Sequence, residues 1–404
     1  MEIAFFTDSY VPMKDGVSAV TDGLARTLTR LGHRVRVFAP ETRVGAPPSN
    51  SLVDGVEVRR VRTVPVPLYG QYRWPVFPFG LLRAARSGGD VDVIHLHTPG
   101  VIGSMAFLAS RRFDRPLVGT FHTNIRAMRE AVPQKLLVPS FFRVAWWYSL
   151  GTYWRCDVTT APSASAADEL TRSVKKPFHH PVEVVPNGID VERFRSGVRV
   201  PDWRARCGLS NAPLFTYLGR LTVDKGVHRF LDAVAEASMR HDLSAIVGGT
   251  GPEEAAVRER IANDPRLAHR VRYVGPVVED EKPALLAETD VFVLPSTSDT
   301  SSVALLEAMA CGTMVVAPAQ GGAAEVVQDG ATGRRVSATT PGALAAAFGE
   351  LIEHDELRRS TGRAAAEWVG AHASLETMAR RFISLYSLAT SERARRADRT
   401  PAGA

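Results

Sequence analysis

The chain has 404 residues, which fits two domains of about 200 residues better than one core. Hydrophobic residues make up 45% and charged residues 23%, and no apolar run approaches the roughly 20 residues of a membrane span. The net charge of +6 is concentrated in residues 1–195, which suits an anionic membrane surface, an acidic acceptor or simple solubility. No nucleic-acid-binding motif accompanies that charge.

The cellular setting follows from the amino terminus and the cysteines. The first six residues include an acid and no basic segment, so we expect no signal peptide. The three cysteines lie far apart in the sequence, which predicts neither a disulfide framework nor a zinc cluster. We therefore expect a cytoplasmic protein, and the basic amino-terminal half leaves the inner face of the plasma membrane open as its location.

The first predicted strand, Glu2–Thr7, is followed by a loop and an amphipathic helix over Ser18–Leu31. Gly16, in the loop, could bring backbone N–H groups close to a phosphate or could be a plain turn glycine. A strand is predicted over Gly55–Val64. The aromatic, Pro-rich segment 65–78 is either part of an acceptor site or a packed loop.

Two further strands of the first half end in histidines. His95 and His97 point to the same side of the strand Val91–Leu96, but no third ligand pattern supports a metal pair. The strand Pro116–Thr120 leads to His122. Residues 131–156 combine aromatic and basic side chains, so this helical segment either lies on a membrane interface or packs inside the protein.

The second half opens with the strand Leu214–Leu218, which runs into Gly219-Arg220-Leu221-Thr222-Val223-Asp224-Lys225-Gly226. Two cations five residues apart in a glycine-bounded loop suit a diphosphate, because Arg can bind it bidentately and Lys can act as a point charge. Two more loops follow predicted strands: Gly248-Gly249-Thr250-Gly251-Pro252-Glu253 and Gly275-Pro276-Val277.

The stretch from Val291 to Val327 predicts a buried strand, a hydroxyl-rich loop, a helix over Ser302–Ala310 and a second buried strand. Ser301 and Ser302 lie beside the helix N-terminus, where free N–H groups favour a phosphate. Asp299 and Glu307 lie roughly 12 Å apart along the helix, so they suit opposite ends of one long ligand better than a shared proton. The alternatives are that Asp299 caps the helix and that Glu307 is simply exposed.

These motifs resemble the signature of retaining glycosyltransferase family four, which has the GT-B fold. The matching elements are Asp299, seven residues, Glu307-Ala308-Met309-Ala310-Cys311-Gly312 and Gly321-Gly322-Ala323-Ala324-Glu325, with the Gly-Arg-Leu…Lys-Gly loop and the turn Pro186-Asn187-Gly188-Ile189-Asp190 in the expected order. The chain departs from the family in having Asp, one methylene shorter than Glu, at position 299. In the family this acid contacts hydroxyls of the donor sugar, so the shorter side chain bears on the sugar's identity or position.

The resemblance implies roles for individual residues. Arg220 and Lys225 would hold the leaving diphosphate, Asp299 the donor sugar and Glu307 the ribose, while His122 would lie near the reacting carbon. The remaining donor contacts would come from Gly16, Gly219, Gly249, Val277, Ser301 and Ser302. No metal is expected, because fixed cations and dipoles would replace it, and the leaving phosphate would accept the acceptor's proton.

The implied architecture is α/β: two doubly wound Rossmann-like domains facing across a cleft. The predicted divisions are an acceptor domain over 1–195, a nucleotide-sugar domain over 196–375, a helix over 376–390 crossing back to the first domain, and a disordered tail over 391–404.

The implied reaction transfers a hexose of mannose or glucose type from a GDP- or UDP-sugar, with no cofactor, to a lipid or glycoside acceptor. Within the family, the chain looks most like glycolipid or phosphatidylinositol-type mannosyl- and glucosyltransferases. The alternatives are a tailoring transferase with a small soluble acceptor, a GT-B sugar-nucleotide epimerase, and a binding module that has lost catalysis.

Overall fold

A computed structural model describes the chain except for residues 14, 42–49, 67–68, 76–90, 123–138, 175–176, 196–201, 338–341 and 400–404. The side chains of residues 50, 64–66, 69–75, 139–143, 145 and 396–399 also lie outside the description. The chain forms two compact units. Unit 1 comprises the described residues within 1–122, 139–188 and 375–399, and unit 2 comprises those within 189–374.

Unit 1 is built on a sheet with the strand order β10-β9-β8-β7-β1-β2-β4-β3. Its pairings are parallel except for β3 with β4, and β5 and β6 form a separate antiparallel pair. The elements are β1 Glu2–Phe6, α1 Gly16–Arg30, β2 Arg34–Pro40, β3 Asn50–Val53, β4 Val56–Val61, β5 Thr63–Val66, β6 Tyr69–Pro75, β7 Val93–Leu96, α2 Val101–Phe113, β8 Leu117–Thr120, α3 Pro139–Trp154, β9 Val158–Ala161, α4 Ala164–Ser173 and β10 Glu183–Val184.

Two sequence expectations for unit 1 are corrected. The single strand expected over Gly55–Val64 is two strands, β4 and β5, because β4 pairs within the large sheet while β5 pairs with β6. The packed-loop alternative for 65–78 is wrong for residues 65–66, which belong to β5, and for Tyr69–Pro75, which forms β6. Residues 67–68 and 76–78 lie outside the described residues.

Unit 2 is a parallel six-stranded sheet with the order β13-β12-β11-β14-β15-β16. From β11, the chain adds β12 and then β13 on one side of the sheet. It then returns to add β14, β15 and β16 on the other side of β11. The elements are α5 Val191–Arg195, α6 Trp203–Cys207, β11 Leu214–Leu218, a 3₁₀ turn Val223–Lys225, α7 Val227–Ala237, β12 Ser244–Gly248, α8 Glu254–Asn263, β13 Val271–Gly275, α9 Lys282–Glu288, β14 Val291–Val293, α10 Val303–Ala310, β15 Met314–Pro318, α11 Gly322–Val326, β16 Arg334–Val336, α12 Ala343–Glu353 and α13 Asp355–His372.

The last helix, α14, spans Leu375–Arg399 and belongs to unit 1. The predicted return to the first domain is therefore confirmed, but the tail expected to be disordered from residue 391 is helical to Arg399. The physical reason is that its charged side chains have partners in unit 1. Glu392 is buried beside His180, with 2.8 Å between Oε2 and Nε2, and Arg393 donates a hydrogen bond of 2.9 Å to Asp114.

The helices that the structure describes include none with both the length and the apolar character needed to cross a membrane.

Candidate nucleotide-sugar site

In the sheet of unit 2, the order in which the chain adds strands reverses between β11 and β14, which are neighbours at the centre of the sheet. In open parallel α/β sheets, ligands bind outside the carboxyl ends of the strands at such a switch point. The loop after β11 carries Arg220 and Lys225, and the loop after β14 carries Asp299, Ser301 and Ser302. The predicted motifs therefore meet where the topology favours a ligand.

The loop after β11 is held in shape by glycines. Gly226 has a φ of +77°, and a Cβ atom there would lie 2.4 Å from the backbone oxygen of Pro295. Gly249, after β12, has a φ of +133°, and a Cβ atom would lie 1.8 Å from the backbone oxygen of Gly219. Any larger residue at either position would push these loops apart.

Asp224 joins the two switch-point loops. Its backbone oxygen accepts a hydrogen bond of 3.0 Å from Thr297 N–H, and its carboxylate accepts one of 2.6 Å from the Ser298 hydroxyl. Burial raises the pKa of Asp224, but the Ser298 hydrogen bond and the charges of Lys225 and Arg220 lower it overall. An ionised Asp224 thus fixes the loops and lies close to both cations.

This arrangement brings Lys225 Nζ into contact with Asp299 Oδ1, although the two residues lie far apart in the sequence. Both side chains are largely buried. The other carboxylate oxygen of Asp299 is buried and has no hydrogen-bond partner in the described part of the chain. The same is true of the Ser301 hydroxyl, so two polar atoms remain available to a ligand.

The cap of α10 is Ser302, whose hydroxyl accepts a hydrogen bond from Leu305 N–H at 3.3 Å. The alternative in which Asp299 caps this helix is therefore wrong. Ser302 is three residues further along the chain, with the extended backbone that a cap requires. The N–H groups of Val303 and Ala304 have no partner within the helix, as at any helix start.

Glu307 lies on α10 and is only 7% exposed, so the alternative of an exposed helix residue is also wrong. Its carboxylate accepts hydrogen bonds from Lys282 Nζ at 3.0 and 3.1 Å. The same ammonium lies 2.9 Å from Glu279 Oε1. Burial raises the pKa of Glu307, and the charge of Lys282 opposes that shift. Burial acts to lower the pKa of Lys282, but attraction to the two carboxylates raises it overall.

Lys282, Glu279 and Asp224 were missed by the sequence analysis. Asp224 lies inside the recognised loop, but the sequence analysis gave a role only to the loop's two cations. Lys282 is the first residue of α9 and Glu279 lies in the turn before it, and their opposite charges three residues apart were an available signal of an ion pair. Nothing in the sequence indicates that this pair also meets Glu307, because the contact depends on the packing of α9 beside α10.

The remaining predicted donor contacts in unit 2 are backbone positions. Gly219 N–H donates a hydrogen bond of 3.1 Å to the backbone oxygen of Gly248, which fixes the start of the β11 loop. Val277 follows β13 and is partly buried. Their contacts with a nucleotide stay predictions.

The two predicted residues of unit 1, Gly16 and His122, also follow strands at the centre of their sheet. Gly16 is the first residue of α1, and the preceding Asp15 caps that helix by accepting 2.8 Å from Ser18 N–H. His122 follows β8, and its Nε2 shares a hydrogen bond of 3.2 Å with Nδ1 of His97. Burial lowers the pKa of His122 to about 4, so it is neutral near pH 7.

Of the neighbouring buried histidines, His95 has a partner for both ring nitrogens, whereas Nε2 of His97 has none among the described residues. The rings of His95 and His97 lie 3.9 Å apart, as their spacing on one strand predicts. His95 Nδ1 and Nε2 lie 2.9 Å from the Tyr386 hydroxyl and 2.7 Å from the Thr120 hydroxyl. Burial lowers the pKa of both histidines. Among the described residues, no group of three or more His, Cys, Asp or Glu side chains is placed to hold a metal ion.

Comparison with known proteins agrees with this geometry. A family model described as Glycosyltransferase Family 4 matches residues 14–193, and one described as Glycosyl transferases group 1 matches residues 212–354. The chain is 31% identical to the D-inositol 3-phosphate glycosyltransferase of Frankia alni over 89% of this chain and 90% of the relative. It is 28% identical to a GDP-mannose-dependent alpha-mannosyltransferase of Mycolicibacterium smegmatis over 82% and 84%.

The fold has solved counterparts. Sucrose-phosphate synthase from Thermosynechococcus elongatus matches 96% of this chain and 98% of its own, with a TM-score of 0.77 and 22% identity. Two Rossmann-like units with largely parallel sheets and a returning carboxyl-terminal helix are the GT-B fold. The chain belongs to glycosyltransferase family 4, which confirms the family and the fold that its motifs implied. It is an enzyme that transfers a sugar from a nucleotide-sugar donor.

Proposed function

We propose that this enzyme is a retaining hexosyltransferase that moves a mannose- or glucose-type sugar to a lipid or glycolipid hydroxyl without a metal ion. The observation that best supports the proposal is the meeting of two loops at the switch point of unit 2. One loop carries the cations Arg220 and Lys225, and the other carries Asp299 beside the start of α10.

The contact between Lys225 and Asp299 suits the chemistry of a sugar nucleotide. In such a donor, the sugar hydroxyls and the diphosphate are close neighbours, so a cation and a carboxylate in contact can bind both at once. Lys225 and Arg220 would hold the diphosphate, with help from the free N–H groups of α10. Asp299 would accept hydrogen bonds from the sugar, and Glu307 from the ribose.

In the proposed reaction, the bond between the anomeric carbon and the phosphate oxygen breaks, and the acceptor oxygen bonds to that carbon on the same face. The acceptor proton moves to the leaving phosphate. Negative charge on the diphosphate grows as the bond breaks, so Arg220 and Lys225 stabilise the transition state more than the bound donor. His122, neutral near pH 7, would lie near the reacting carbon.

We infer that the donor is GDP-mannose. The relatives named as GDP-mannose-dependent support this choice. A second support is Glu279, a carboxylate held by Lys282 close in sequence to Val277, where the base is expected. Guanine presents two adjacent N–H donors that a carboxylate can accept together, whereas uracil presents one.

A second candidate function is transfer to a small soluble acceptor. It is favoured by the relatives named D-inositol 3-phosphate glycosyltransferase, which are up to 31% identical to this chain. The basic excess of residues 1–195 suits a phosphorylated sugar as well as a phospholipid headgroup.

The first test is calorimetric binding of GDP, UDP and ADP with and without EDTA, followed by transfer from the preferred sugar donor to lipid and soluble acceptors. We expect GDP to bind most tightly, EDTA to have no effect, and the product to keep the donor's anomeric configuration by NMR. An inverted product would contradict the retaining mechanism, and loss of transfer in EDTA would contradict its metal independence.

The Lys225→Ala variant tests the leaving-group role. We expect kcat to fall about 10²–10³-fold, as for removal of a single donor that stabilises a developing anion. The matched control is Arg240→Ala, which removes an exposed cation of the same unit outside the site. Transfer by Lys225→Ala at the rate of this control would refute the assignment.

A further inference from the structure

Two neighbouring helices of unit 1 carry a surface that neither the core nor the donor site explains. We call it the α2/α3 face and define it by Leu108, Arg111 and Arg112 on α2 and Val144, Trp147 and Tyr148 on α3. Trp147 is 76% exposed and Val144 64%. Leu108 and Tyr148 are 43% and 42% exposed, so four large apolar or aromatic side chains face solvent.

The helical spacing groups these residues on single faces. Val144, Trp147 and Tyr148 follow the i, i+3, i+4 pattern, as do Leu108, Arg111 and Arg112. The other face of α3 supplies the core, where Trp146 and Tyr153 pack against Phe121. The outward aromatic side chains are therefore additional to the packing of α3.

The two helices form one continuous surface. The hydroxyl of Ser104 on α2 contacts the hydroxyl of Tyr148 on α3. Arg155, just beyond α3, places its guanidinium 5.7 Å from the ring centroid of Phe107 on α2. The apolar side chains and the arginines thus lie on the same side of unit 1.

The charged side chains that define this surface are all arginines, and the exposed acid just after α2, Asp114, lies 2.9 Å from Arg393 on α14. The sequences of α2 and α3 contain no Asp or Glu. Arg111, Arg112 and Arg155 have no carboxylate partner among the described residues. Exposed Trp and Tyr beside unpaired arginines match the interface between the headgroups and the acyl chains of an anionic bilayer.

A second copy of this chain is a poorer partner. In a two-fold dimer the same patch would meet itself, so arginines would face arginines without an acid on either helix. An anionic lipid surface supplies the missing negative charge and accepts the aromatic side chains at the same time.

We propose that the α2/α3 face docks on the surface of an anionic lipid bilayer. Trp147, Tyr148 and the aliphatic side chains enter the interface, and the arginines contact headgroup phosphates. Docking would bring the enzyme to the surface that holds the proposed lipid acceptor. Only this link to the acceptor rests on the proposed function. The binding itself requires no donor or transfer.

The test is co-sedimentation of the full chain with vesicles of phosphatidylcholine alone, or of equal parts phosphatidylcholine and phosphatidylglycerol. We expect binding to the mixed vesicles that weakens with added salt. Replacing Trp147 and Val144 by Ser should weaken it at least 10-fold, and so should Arg111→Glu with Arg112→Glu. The controls are Leu52→Ser, which replaces an equally exposed apolar residue of unit 1, and Arg240→Glu.

The outcomes separate this proposal from its rivals. Equal binding of the Trp147 variant and wild type, or no preference for the anionic vesicles, would overturn it. Sedimentation showing a dimer that the Trp147 variant loses, without vesicle binding, would assign the face to a second copy. GDP binding measured on the same samples reports on unit 2, so failure of the proposed function would be seen separately.

Discussion

Each of the two acids of the predicted donor site contacts a lysine from another element of unit 2. Lys225 contacts Asp299, and Lys282 donates two hydrogen bonds to Glu307. Each of the two acids therefore has a cationic partner of its own. Buried carboxylates need such partners, because burial without them would favour the neutral form. Burial raises the pKa of Glu307 overall, and the charge of Lys282 limits that shift, so the lysine favours the carboxylate that could accept hydrogen bonds from ligand hydroxyls.

Two substitutions distinguish the roles of these acids. Asp299→Asn should leave GDP binding unchanged or tighter, because Lys225 loses a competing counter-ion, while transfer falls about 10²-fold. Glu307→Gln should weaken GDP binding at least 10-fold. The contact of the carboxylate with the ribose is lost, and Lys282 loses the negative charge of one of its two partners. Calorimetry with GDP and steady-state kinetics measure the two effects.

The result that would contradict these assignments is an equal loss of GDP affinity in both variants, since it would place Asp299 on the nucleotide. Asp299→Glu is the matched control for side-chain length. It keeps the charge and adds the methylene that the family pattern has at this position.

At the level of elements, the start of α10 combines a structural and a binding role in adjacent serines. Ser302 caps the helix through Leu305 N–H, whereas the hydroxyl of Ser301 is buried without a partner in the described residues. Gly322, at the start of α11, packs directly against this loop: a Cβ atom there would lie 2.0 Å from the backbone oxygen of Thr300. The loop is therefore fixed by packing, and Ser301 is free to contact a phosphate.

The adjacent serines give a matched pair of variants. Ser302→Ala should lower the free energy of unfolding by about 1 kcal/mol, the usual cost of losing a cap. Ser301→Ala should leave the free energy of unfolding nearly unchanged, because no hydrogen bond within the protein is lost, but should weaken GDP binding. Urea unfolding and calorimetry test the pair. Normal GDP affinity in Ser301→Ala would argue against a phosphate contact.

At the level of the whole molecule, unit 1 includes a helix, α14, that follows all of unit 2 in the sequence. Besides Glu392, the described part of helix α14 buries six apolar side chains: Met378, Ala379, Phe382, Leu385, Tyr386 and Ala389. Burying each of the four large ones contributes about 1.5–3 kcal/mol, so together they approach the total stability of a typical domain. The Tyr386 hydroxyl also provides the partner of the buried His95.

A chain ending at Ser374 should therefore lose the folded structure of unit 1 and keep that of unit 2. Hydrogen exchange should show lost protection in β1, β7 and β8, with protection retained in β11, β12 and β14. Tyr386→Phe is the milder control, with an expected loss of about 1–3 kcal/mol because His95 keeps an unsatisfied nitrogen. Full protection of β7 in the truncated chain would show that α14 is dispensable.

The sequence by itself determined the family, the two α/β units, the loops that carry Arg220, Lys225 and Asp299, and the helix that carries Glu307. It could do so because these features depend on local patterns: apolar runs predict buried strands, and glycines and polar residues follow them at fixed spacing.

Only the tertiary structure decided which side chains meet. The contact between Lys225 and Asp299 and the pairing of Lys282 with Glu307 join residues on different loops and helices. The sequence also did not show that Ser302 is the cap, that Glu307 is buried, or that the helix continues to Arg399. Such pairings depend on distances across the sheet, and neither residue of a pair carries a local signal of its partner.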